Sequence, residues 1–165
     1  MDMNEPVRIL SPDDERAVVS ELARRALATA APDELVIFDE TASDYFRDPQ
    51  AALAGQHRDE AVGFGLELAL ITPYVIAVAS EAVHMLASIV GGAVKDEGGA
   101  AARSLIRRLF RLPNPDDAAT PAPLSVEQAR QVRGVAFARA IDLGIPEQQA
   151  GLLADAITGG LVVAT

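Results

Sequence analysis

The chain has 165 residues, a net charge of -10 and no cysteine. That length holds one ordinary domain, or a small domain with an appendage. The acidic balance excludes general nucleic-acid binding, which needs a basic footprint, and the lack of thiols excludes disulfides and thiolate metal sites.

In chain order, the acidic start Met1-Asp2-Met3-Asn4-Glu5 leads into no apolar run, which predicts a cytoplasmic protein with no secretory signal. Val7-Arg8-Ile9-Leu10 reads as a short strand. A helix then opens at Ser11. Its hydroxyl suits the N-cap, Pro12 suits the first helical position, and Asp13 and Asp14 suit the positive end of the dipole. Val19, Leu22, Ala23, Ala26, Leu27 and Ala30 follow at helical spacing until Pro32. Leu35-Val36-Ile37-Phe38 is brief and β-branched, so a second strand is expected, giving a small β-α-β unit over residues 7–38. Two strands make a poor sheet, and a third strand or a partner chain would have to complete it. Short helices are expected over 39–45 and 48–53, the second capped by Asp48 and ended by Gly55.

Residues 61–94 are the least polar part of the chain. Only Glu67, Glu81 and His84 can carry charge there near neutral pH. The pattern predicts one helix over 59–72, a bend at Pro73, and a second over 73–90, weakened by Gly91-Gly92. Residues 100–112 follow as an amphipathic helix in which Arg103, Arg107, Arg108 and Arg111 alternate with apolar residues including Phe110. Four prolines make 113–123 an extended linker. Ser125-Val126-Glu127-Gln128 is a capping box with Leu124 as staple residue. Helical spacing continues to Leu143. Gly144 stops that helix and Pro146 begins another, which carries Leu152, Leu153, Ala156, Ile157 and then Leu161 to Val163. The expected fold is mainly α: a helical bundle with a small N-terminal β-α-β unit and a C-terminal helix hairpin. Its regions are residues 1–58, 59–112, the linker 113–123 and the hairpin 124–165.

Function turns on where 61–94 goes. The run 75–94 has the length of a membrane span, yet Glu81 and His84 fall near its middle. A charge at the bilayer centre costs on the order of 3 kcal/mol. Glu81, His84 and Ser88 share one helix face, which suits a core helix with one polar seam. Glu81-x-x-His84 has the spacing of a carboxylate–imidazole metal unit, and Glu67 could add a ligand. Only one such unit is present, too few ligands for one chain. A Glu81–His84 hydrogen-bonded pair is therefore expected. On that expectation Glu81→Gln is better tolerated than Glu81→Leu by about 1–3 kcal/mol. His57 reads as a solvated loop residue, and Gly63-Phe64-Gly65 as a packing notch lacking the rest of a dinucleotide loop. No nucleophile–base pair, phosphate loop or zincin motif is present, so no catalytic residue and no cofactor is assigned.

The reading is a non-enzymatic helical interaction or adaptor protein of the bacterial cytoplasm. It self-associates through its apolar central helices, with a protein partner or a second copy and no nucleic acid. Arg103, Arg107, Arg108, Arg111 and Phe110 form the contact surface. The alternative is a membrane-associating or pore-forming component at the inner face of the membrane, with 61–112 meeting anionic lipid. A dimeric di-metal carboxylate protein is the third reading.

Overall fold

The computed structural model describes residues 10–59, 70–93, 104, 106 and 124–161. Ser11 opens helix α1 (Pro12–Ala30) as anticipated, its hydroxyl accepting the Asp14 N–H at 3.2 Å. Val18, Val19, Leu22, Ala23, Ala26 and Leu27 form its buried stripe, at the three- and four-residue spacing that keeps one helix face inward.

The chain then departs from the expected strand. Pro32–Ile37 is a 3₁₀ helix that runs directly into helix α2 (Phe38–Arg47). No strand occurs among the described residues, so the β-α-β unit is not supported; Val7 to Ile9 lie outside them. The physical reason is local and tertiary together. Pro32 and the acids Asp33 and Glu34 are good helix-start residues, and no strand among the described residues is present to accept the backbone hydrogen bonds of a lone β segment. Val36 is left 91% exposed while Phe38 enters the core at 1%. Phe38, Ala42 and Tyr45 are the buried face of α2. Arg24 lies over the Phe38 ring, 4.7 Å from its centroid, and pairs with Asp39.

Asp48 caps helix α3 (Pro49–Asp59), its carboxylate accepting the Ala51 N–H at 3.0 Å. Gly55 does not end this helix. Mid-helix glycine costs about 1 kcal/mol, which the alanine-rich flank tolerates.

Helix α4 (Thr72–Ala93) touches every other helix named here and is the centre of the bundle. The bend expected at Pro73 is instead a helix start. Proline is tolerated in the first turn, where its missing N–H would have no intrahelical acceptor. Gly91-Gly92 does not break the helix before Ala93. The apolar residue Ile71 precedes α4 and offers no capping side chain, so the cap comes from elsewhere in the fold. The Glu34 carboxylate accepts the Ile71 N–H at 3.0 Å, the Thr72 N–H at 2.9 Å and the Thr72 hydroxyl at 2.6 Å. Thr72 is fully buried.

The C-terminal hairpin forms as read. The Ser125 hydroxyl accepts the Gln128 N–H at 3.1 Å, and the Gln128 side chain accepts the Ser125 N–H at 2.9 Å, closing the capping box of α5 (Val126–Asp142). Gly144 turns the chain at φ 85°, a conformation that favours glycine. Pro146 precedes α6 (Glu147–Thr158). Leu161, read as helical, lies beyond the end of α6 as a buried residue. The hairpin's inner faces pack on the bundle, α5 against α4 and α6 against α1. Val132, Ala136, Ala140, Ala150, Leu153, Ala154 and Ile157 join the same apolar cluster as the α1 and α4 stripes.

Candidate functional site

Of the residues singled out from sequence, Glu81 and His84 lie on α4, while Glu67, Arg103, Arg107, Arg108, Phe110 and Arg111 lie outside the described residues. Their neighbour Ile106 is helical and fully buried. The expected Glu81–His84 pair is replaced by another. His84 Nε2 lies 2.6 Å from Glu15 Oε1, which joins α4 to α1. Both partners are substantially exposed, at 57% and 36%. The α1–α4 contact supplies a carboxylate that spacing within α4 could not reveal. Glu81→Leu is thus expected to shift stability by no more than about 0.5 kcal/mol. Glu15→Gln should cost under about 1 kcal/mol, as exposed ion pairs do. Urea unfolding of both variants checks this, and a large loss for Glu81→Leu alone would restore the original pair. Among the described residues no three His, Asp or Glu side chains converge as a metal site.

A second polar group sits at the junction of α2, α4 and α5. Tyr45 is 6% exposed. Burial raises its phenol above the usual value of 10.0, with the Ser80 hydroxyl and the Arg139 guanidinium acting in the opposite direction. The Ser80 hydroxyl donates to the Ile76 carbonyl at 2.9 Å. A phenol harder to ionise in the folded chain stabilises it fully below pH 10.0, and that contribution is lost as pH rises through the raised folded value. Guanidinium midpoints should accordingly fall above pH 10, and part of that fall should be missing in Tyr45→Phe. An identical alkaline loss in both proteins would exclude Tyr45 as the source.

The third feature is the outer face of the hairpin, where Phe137, Glu147, Gln148, Gly151, Leu152 and Asp155 line an open depression of about 560 Å³ between α5 and α6. Leu152 is 65% exposed and Ile141, on the same side of α5, is 40% exposed. Arg133 crosses from α5 to α6, its Nε donating to Asp155 Oδ1 at 2.6 Å. That hydrogen bond, and then the Asp155 charge, raise the Arg133 pKa. Sequence reading placed Leu152 and Leu153 together on the second hairpin helix without separating their faces. The inward stripe of α6 runs through Ala150, Leu153, Ala154 and Ile157, which leaves Leu152 on the outer side of the helix. The sequence signals for this face were the mid-helix glycines Gly134 and Gly151. The chain matches no family model, no curated protein and no solved structure.

Proposed function

We propose that this chain is a non-enzymatic helical interaction protein that binds a protein partner through the outer face of its C-terminal hairpin. The observation that carries the reading is the distribution of apolar surface. Residues 73–79 of α4 are buried, and Ala82, Val83, Leu86 and Val90 continue that burial. The inner face of α4, one of the central helices expected to drive self-association, is thus covered by its own chain. Leu152 and Ile141 remain in solvent beside Phe137 on the hairpin. An exposed leucine at the edge of a shallow groove lined by Phe137, Glu147, Gln148 and Asp155 suits a small protein-binding surface with a charged rim.

The test is affinity capture of tagged chain with quantification of whatever binds, an untagged copy of the chain included. Leu152→Asp is expected to cut the captured amount about tenfold, the loss of roughly 1.4 kcal/mol of contact energy. Equal capture by both proteins, or no bound chain of any kind, would remove this reading.

A second reading keeps one specific observation. Thr72–Gly91 has a mean hydropathy of 1.6 and is long enough to cross a membrane. Of that stretch 56% is buried within the fold, so insertion would require the bundle to open and expose α4 to lipid. Flotation with anionic liposomes separates the two readings, and the folded chain is expected to stay out of the lipid fraction.

A further inference from the structure

We draw no further inference here: the strongest candidate, the shallow groove on the outer face of the α5–α6 hairpin with the exposed Leu152 at its edge, is an unpartnered apolar face, and nothing in the structure shows what covers it.

Discussion

Replacing Glu34 by alanine is expected to destabilise the chain by about 2–4 kcal/mol, more than the loss of any other single polar side chain described here. One carboxylate accepts three hydrogen bonds at the start of α4, two from backbone N–H groups and one from the Thr72 hydroxyl. Hydrogen bonds to a charged acceptor contribute about 1.5–3 kcal/mol each in isolation, and they are not additive when they share one group. Stranding the buried Thr72 groups costs about 1–3 kcal/mol, and a negative charge at a helix N-terminus adds a few tenths to about 1 kcal/mol. Glu34→Gln keeps one acceptor oxygen and should lose about half as much. Denaturant unfolding of the two variants measures both numbers. A loss under about 0.5 kcal/mol for the alanine variant would mean that solvent replaces the cap and that the contact does not organise α4. The same cap ties the 3₁₀ segment to the central helix, so its removal should also speed amide exchange at the first turn of α4.

Two substitutions on α4 carry the next largest effect and separate a protein core from a lipid-facing helix. Leu86 is fully buried, and Leu86→Ala should cost about 3 kcal/mol through lost transfer energy and the cavity left behind. Ala79 is also fully buried, at a helix that packs on its neighbours on several sides. Ala79→Leu adds three carbons at a fully buried position and should cost about 1–3 kcal/mol. For a helix surrounded by lipid the second change would have the opposite sign, since leucine inserts more favourably than alanine. Thermal melts of both variants in detergent-free buffer test this. A stabilised or unaffected Ala79→Leu protein with increased liposome flotation would favour the membrane reading.

Three helix starts and one helix stop marked by local chemistry were legible in the residues. The Ser11, Asp48 and Ser125 caps act over three residues, and Gly144 stops its helix through its own backbone angle. The apolar stripe of α1 and the hairpin followed from spacing alone, because a helix repeats its faces every few residues whatever surrounds it. Apart from Gly55, which the alanine-rich flank of α3 tolerates, what failed were the choices that depend on a distant group. Leu35 to Phe38 had the composition of a strand, but a strand needs a neighbour, and none lies among the described residues. Pro73 could equally bend a helix or begin one, and the Glu34 carboxylate, 38 positions before Thr72, made it a beginning. His84 needed a carboxylate, and α1 supplied Glu15 in place of Glu81. Leu152 and Leu153 are equally apolar, and only the packing of α6 on α1 decided which would be buried. Caps and periodicity are short-range and act before the chain is folded. Partner choice and exposure are set by which helix faces meet, and that is a property of the assembled bundle.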